Sequence, residues 1–447
     1  MKEKIKEEIK RIGENKKKVL LVSLRSPFLD SDRVYPPMGL LYLSSALKQV
    51  GHEVDIEDDF GGEERRINDY SIYDFIGVSV TTPQKKDVIK IFNEFKDKEK
   101  KPILIIGGPH AKFYTNDVEK EPWDYIIKGE GERAIVKIVN GEAKERIVEE
   151  PINQEDFDKL PRPDRLGYKE FIKTYSHTFG GPDKKATVFM SGRGCPMGCT
   201  FCEEARTPIR WTDIEKAKKE FDDIQELGFN AIYIIDDLFA ISVKKTKPYI
   251  EELKRRGIIY RCNGHVKFMT EEFADLLAET GCVEIGIGIE SASQKILDTI
   301  KKGITVEQAY NCVSMLKKRG IRVRAFFMVG LPGETYETIA ESEKFIRESG
   351  IDDFQLTVYE PYKGTQIRDE IDKGNQNIDL FIEGEAFAHT QKGGKAKAKI
   401  RTKALSSAEI LAERDRLIKT YRPANYTKER TSQDYSITKI NKTGCSS

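Results

Sequence analysis

The sequence predicts an α/β protein made of two parallel sheets in tandem: an N-terminal doubly wound (Rossmann-like) sheet over residues 19–140, then a partial (β/α)6 barrel over residues 186–365. Three observations predict it. Short runs rich in Val and Ile alternate with stretches of helical spacing along both segments, the pattern of strands covered by helices on both faces. Between the two series lies a mixed stretch, 141–185, which carries Pro151, Pro161, Pro163 and Pro182 and reads as a linker. The second series restarts just before a glycine-rich turn and a knot of three cysteines, Cys195-Pro-Met-Gly-Cys199-Thr-Phe-Cys202.

Residues 1–18 are mostly Lys, Glu and Ile and predict an amphipathic helix ahead of the first sheet. Strands of that sheet are expected at 19–24, 52–56, 75–80, 103–106 and 125–127. Helices are expected at 38–50, where Leu40, Leu41, Leu43 and Leu47 share one side, at 85–96, and from Glu132 onward. In a doubly wound sheet ligands lie beyond the carboxyl ends of the strands. The segments there are 26–39, Thr81-Thr82-Pro83-Gln84, Gly107-Gly108-Pro109-His110 and Gly129-Glu130-Gly131-Glu132. Glycine lets backbone approach a flat ligand closely, and helix N-termini and hydroxyls offer donors to phosphates or amides.

In the second series, strands are expected at 186–190, 231–235, 258–263, 283–289, 323–329 and 354–359. Helices are expected at 213–227, 243–256, after a Thr270 cap, at 305–319 and at 336–349. By analogy with closed β/α barrels, function belongs at the carboxyl ends of these strands. Those ends carry Asp236-Asp237, Asn263 and His265, Glu290-Ser291, and Gly330-Leu331-Pro332-Gly333-Glu334. Residues 366–422 form a C-terminal extension with a helix at 406–421, and 423–447 read as a disordered tail. Within the extension Lys395, Lys397, Lys399, Arg401 and Lys403 alternate with other residues. On a strand these cations share one face, which reads either as an edge guarded by lysines or as a grip on phosphates of an anionic substrate or nucleic acid.

Thiolates gather to hold soft metal, and a C-x3-C-x2-C spacing can wrap one iron–sulfur cluster. Such clusters normally take four cysteines, so three leave one iron open to a substrate. Structural zinc needs four ligands, and no fourth Cys or His lies nearby in the sequence. Nothing at the N-terminus resembles a signal peptide, so reduced cytosolic thiols are expected rather than a disulfide. Cys262, Cys282 and Cys312 sit in apolar periodic segments and read as core residues; Cys445 lies in the polar tail.

The cysteine spacing resembles that of the radical S-adenosylmethionine (radical SAM) enzymes, and the six β/α units suit that family's partial barrel. The match extends through Gly288-Ile-Glu-Ser-Ala-Ser-Gln-Lys-Ile-Leu297, Lys302-Gly-Ile-Thr305 and Pro361-Tyr-Lys-Gly-Thr365. The first half resembles the cobalamin (B12)-binding domain that precedes many radical SAM modules, on Pro36-Pro-Met-Gly-Leu-Leu-Tyr-Leu-Ser-Ser-Ala-Leu47, Gly51-His-Glu-Val54, Ile76-Gly-Val-Ser79, Gly107-Gly-Pro-His110 and Gly129-Glu-Gly-Glu132; Leu160-Pro-Arg-Pro-Asp164 resembles the family's linker. The resemblance implies a [4Fe-4S] cluster on Cys195, Cys199 and Cys202, whose open iron chelates the methionine part of SAM. It implies SAM contacts from backbone at Phe201, from Asp236 and Asp237 at the amino group, from Glu290 and Ser291 at the ribose, and from Gly330 and Pro332 near adenine. It implies cobalamin contacts from Thr81, Thr82, Gly107, Gly108, His110, Gly129 and Glu130. The Asp-x-His-x-x-Gly motif that supplies a cobalt-ligating histidine in many cobalamin proteins is absent, so the implied cobalt lacks a histidine ligand. A sheet that kept its loops and lost the cofactor is the alternative.

The reaction implied is methylation of an unactivated carbon, with one SAM cleaved to a 5′-deoxyadenosyl radical and methyl delivered from methylcobalamin. Radical cyclisation or rearrangement without net methyl transfer is one rival; a cluster- and cobalamin-binding sensor without turnover is another. The implied electron donor is a flavodoxin or ferredoxin. Lys+Arg (75) and Asp+Glu (74) nearly cancel, so charge implies neither a nucleic-acid nor a membrane partner, and no apolar run approaches the ~18 residues of a membrane span. A cytoplasmic monomer is expected.

Overall fold

The computed structural model describes residues 16–24, 34–60, 67, 69–95, 101–175, 179–181, 183–384 and 397–422. The helix expected at 1–18 and the tail at 423–447 fall, all but residues 16–18, outside the described residues, as do 26–33 of the loop after the first strand, Lys395 and Cys445. The chain divides between Thr174 and Tyr175 into two compact units.

The first unit holds β1 (Lys18–Leu24), β2 (Glu53–Phe60), β3 (Phe75–Ser79), β4 (Ile103–Gly107), β5 (Tyr125–Ile127) and β6 (Ile147–Val148). They form one sheet in the order β2-β1-β3-β4-β5-β6, every ladder parallel. Val19, Leu20, Leu21 and Val22 are fully buried, as a strand covered on both faces requires. The helix Met38–Gln49 supplies one cover through Leu40, Leu41 and Leu47. Strand order reverses between β1 and β3, so the crevice for a ligand opens at the loops after those two strands.

The proline-bearing segment packs on this unit. Asp164 accepts from Ser44 Oγ (3.0 Å) and Lys48 Nζ (2.6 Å), and its N–H donates to Leu41 O (3.1 Å). Ser45 Oγ donates to Arg162 O (2.6 Å), and Tyr168 OH to Val54 O (2.6 Å). The segment thus straps the Met38–Gln49 helix, and it contains β6 and two short helices, Gln154–Lys159 and Lys169–Ile172.

The second unit holds β7 (Ala186–Phe189), the small antiparallel pair β8 (Gly192–Arg193) and β9 (Arg210–Trp211), then β10 (Ala231–Ile234), β11 (Ile259–Gly264), β12 (Cys282–Glu290), β13 (Arg322–Val329), β14 (Asp353–Val358), and a second small antiparallel pair, β15 (Phe381–Ile382) and β16 (Ile400–Arg401). The main sheet runs β7-β10-β11-β12-β13-β14, wholly parallel and in chain order. Its end strands β7 and β14 share no ladder, so the barrel is partial. The connecting helices are cued locally. Asp213 accepts from Glu215 and Lys216 N–H, Thr270 from Phe273 N–H, and Thr305 and Thr335 form capping boxes with Gln308 and Thr338. Cys262, Cys282 and Cys312 are buried.

Along β12 the two faces separate. Ile285, Ile287 and Ile289 are fully buried. On the other face Gly286 and Gly288 lead up to Glu290. In the C-terminal extension, Lys397, Lys399 and Lys403 are exposed, while Arg401 pairs with Glu383 (3.3 Å) and stacks on Phe381 (4.1 Å).

Candidate active site

The three cysteines lie on the loop that leaves the carboxyl end of β7. The β8–β9 pair closes its base. Inside it, Cys195 N–H donates to Thr207 Oγ1 (2.8 Å), Thr207 N–H to Cys195 O (2.9 Å), and Arg206 N–H to Met197 O (2.8 Å). Cys202 N–H donates to Cys199 O (3.2 Å), which bends the chain back between the last two thiols. Thr200 docks the loop from both sides: its N–H donates to Ile300 O and its carbonyl accepts from Ile367 N–H, each at 3.0 Å. Gly194 has φ +107°, and a side chain there would strike the Pro208 carbonyl, so this turn requires glycine.

Cys199 is buried, and Cys195 and Cys202 are half-buried. Burial pushes all three thiols above the ordinary cysteine range, Cys202 to about 12, and neighbouring thiolates add to the rise at Cys199 and Cys202. The three sulfurs therefore lie in one another's field. Among the described residues, no group of three or more His, Cys, Asp or Glu stands where it could hold one metal ion. A cluster spreads its cysteines over different irons. Three thiols on one well-buttressed loop fit the cluster, and loading iron must displace their protons.

The carboxyl ends of β10 and β12 meet this loop. Asp237 is exposed and accepts from Gly194 N–H (3.0 Å), and its charge reaches Cys195. Asp236 turns inward. It is 3 % exposed and accepts from Ser191 N–H (2.7 Å) and Ser191 Oγ, and burial raises its pKa to about 7. Asp236 thus braces the turn before the cysteines, while Asp237 faces them.

Glu290 ends β12 at φ +68°, where the β12–β13 register shifts. Its Oε1 accepts from Lys302 Nζ (2.8 Å), and both residues are buried. A side chain at Gly288 would land on the Glu290 carboxylate and 2.8 Å from Lys302 Nζ, so the glycine makes room for the pair. Burial works against the Lys302 ammonium, but Glu290 and Cys199 together hold its pKa above the ordinary lysine value. Lys302 Nζ lies 5.8 Å from the centre of the half-buried Phe201 ring. The structure thus gathers Cys195, Cys199, Cys202, Asp237, Phe201 and Glu290 and adds Lys302, whose role sequence reasoning left unassigned. Its signal was its place in the Lys302-Gly-Ile-Thr305 match.

The other contacts expected in the barrel are buried. Ser291 is fully buried, beside Ser342 Oγ (3.3 Å), and accepts from Ser293 N–H (3.2 Å). Gly330 and Pro332 are buried. A side chain at Gly330 would lie 2.6 Å from Ile400 and 3.2 Å from Ile410, so β16 and the helix Ser407–Tyr421 cover this turn. Glu334 closes the turn from inside by accepting from Gly330 N–H, and burial raises its pKa to about 8.

In the first unit the expected contacts follow β3, β4 and β5, which neighbour one another. Gly108 has φ +91°, and a side chain there would lie 2.8 Å from Val80 N, so glycine is needed where the ends of β3 and β4 touch. Gly107 is half-buried; Gly129, at φ +109°, faces open space, with Glu130 half-buried beside it. Thr81 Oγ1 donates to Gln84 Oε1 (2.8 Å). His110 departs from the ligand-facing expectation. Its ring is 2 % exposed, stacks on Tyr114 (5.1 Å), and sets Nδ1 3.2 Å from Thr82 Oγ1. The open space over Gly129 fits a ligand that backbone approaches closely; the buried His110 does not fit a cobalt ligand.

The chain thus joins a doubly wound sheet to a partial barrel that carries a three-thiol loop at its carboxyl end. The chain matches the radical SAM superfamily over residues 189–346 and the B12 binding domain over residues 29–139. It is 29% identical over 357 residues to an uncharacterized methyltransferase of Pyrococcus horikoshii, covering 74% of this chain and 77% of that one. It is 28% identical over 380 residues to the anaerobic magnesium-protoporphyrin IX monomethyl ester cyclase of Rubrivivax gelatinosus, covering 75% and 66%. Its fold is similar to that of TsrM, a radical S-adenosylmethionine methyltransferase of Kitasatospora setae solved with cobalamin and a [4Fe-4S] cluster, with a TM-score of 0.70, 19% identity and 92% of each chain covered. The chain thus carries a B12 binding domain followed by a radical SAM domain.

Proposed function

We propose that the protein methylates an unactivated carbon of its substrate in a cobalamin-dependent radical SAM reaction. The observation that carries this reading is the convergence of the Cys195, Cys199 and Cys202 loop with Asp237 and the Glu290–Lys302 pair at the carboxyl end of the partial barrel. Cys195, Cys199 and Cys202 would hold the [4Fe-4S] cluster. Asp237 would accept the amino group of SAM, Glu290 its ribose hydroxyls, and backbone at Phe201 its adenine. Gly107, Gly108, Gly129 and the Thr81–Thr82 turn would seat cobalamin. Bound there, the cluster supplies the electron that splits a sulfonium bond and the cobalamin carries the methyl group. The protein's share is placement: Thr207 and Asp237 fix the cysteine loop, and Lys302 fixes the Glu290 carboxylate. A flavodoxin or ferredoxin would deliver electrons.

The test is anaerobic reconstitution followed by iron and cobalt analysis, then incubation with SAM and a strong reductant. Cluster and cobalamin uptake with 5′-deoxyadenosine and S-adenosylhomocysteine as products is the expected result. Deoxyadenosine without S-adenosylhomocysteine would favour cyclisation, the activity named in the Rubrivivax relative. No SAM cleavage at all would leave a binding protein.

A further inference from the structure

His265 follows the carboxyl end of β11 in extended backbone (φ −128°, ψ 136°), two residues after Asn263. Asn263 lies over the side-chain direction of Gly286, on the β12 face that also presents Gly288, Glu290 and the Lys302 ammonium. Alternation therefore puts His265 on the same face. The ring is 5 % exposed and packs on Phe268 (5.8 Å). Its Nδ1 accepts from Lys267 N–H (3.2 Å), which leaves the proton of the neutral ring on Nε2. That Nε2 is buried and meets no partner among the described residues. A buried donor left without an acceptor costs on the order of 1–3 kcal/mol, so its acceptor is to be sought in a ligand. Burial and the charges of Lys302 and Lys267 lower the ring's pKa to about 3, which keeps it a neutral donor beside a cation.

We infer that His265 is a positioning residue that donates Nε2–H to an oxygen of SAM seated between Glu290 and the cysteine loop. The cosubstrate is favoured over the substrate because His265 shares the barrel face of Gly286, Gly288 and Glu290, and Lys302 joins Glu290 (2.8 Å) to the Phe201 ring of the cysteine loop (5.8 Å). A ligand anchored at that loop meets this cluster of groups first. The inference rests on the radical SAM reading of the site.

The test is calorimetric titration of cluster-loaded protein with SAM, without reductant, comparing wild type with His265→Phe, His265→Asn and His265→Gln. A glutamine amide reaches the place of Nε2; an asparagine amide stops at that of Nδ1. The expected result is a Kd raised about tenfold in Phe and Asn, as loss of one hydrogen bond predicts, and restored to within about threefold in Gln. If Phe fails to fold, as circular dichroism would show, the Asn–Gln contrast decides. Wild-type affinity in the Asn and Phe variants, with or without lost turnover, overturns the assignment while leaving the family reading intact. Failure of the wild type to bind SAM overturns both.

Discussion

Lys302 and Glu290 show how much one buried pair can control. Each is buried, and each makes the other tolerable. Removing one partner of such a pair typically costs about 3–5 kcal/mol, because the survivor keeps its charge without its counter-charge. Lys302→Met is therefore expected to lower the unfolding free energy by that order, and adding Glu290→Gln to recover much of the loss; denaturant midpoints of the two variants check this. His110 makes a pH prediction in the first unit. Burial, helped by the Lys85 charge, lowers its pKa to about 4. Its unfolded value is about 6.5, so between those limits the unfolded chain binds a proton that the folded one refuses. The stabilisation is complete above pH 6.5 and is lost as pH falls toward 4. Thermal midpoints measured across that window should drop, and His110→Gln should flatten the drop.

At the level of elements, the tightest constraint outside the barrel is the contact between the ends of β3 and β4. Gly108→Ala would put a methyl 2.8 Å from Val80 N while forcing alanine into positive φ. A loss of about 1–3 kcal/mol is expected, together with weakened uptake of hydroxocobalamin, read by absorbance after gel filtration. The strands and helices that sequence made legible were long or strongly periodic: β1, β12, β13 and the capped barrel helices have their cues within a few residues. Those that escaped were short: the helices Gln154–Lys159 and Lys169–Ile172 in the segment read as a linker, and β6, β8, β9, β15 and β16, which span two residues apiece and carry no period. The site divides along the same line. Cys195, Cys199, Cys202 and Asp237 were legible because each is fixed by its own loop or strand end. Lys302 was not, because its partner Glu290 lies across a chain reversal. Asp236 and Ser291 sit beside Asp237, which holds the cysteine loop, and Glu290, which pairs with Lys302, and only packing shows that they turn inward.

For the molecule as a whole, positive and negative charges nearly balance, and among the described residues no helix is long and apolar enough to cross a membrane. Many of its ion pairs, such as Lys159–Glu155 and Lys218–Glu215, lie at the surface, where each contributes little. Stability must come from the two cores and from whatever binds them. Hydrogen exchange should therefore report each cofactor separately. Iron and sulfide loading is expected to protect amides at 191–207, and hydroxocobalamin those at 79–82, 107–110 and 129–132. Protection of neither set by its own cofactor would contradict the site assignments.

Gly288 turns the architecture into a tool. It leaves too little room for even a methyl under the acid and the ammonium that close over it. Gly288→Ala would act as an internal wedge, prising those two groups off their resting places without touching a single sulfur. The expected product is an idling enzyme that charges with iron normally yet binds SAM at least about tenfold more weakly, measured by iron content and titration on one preparation. Such a decoupled form would let electron delivery be studied in isolation, with the cosubstrate silenced from beneath.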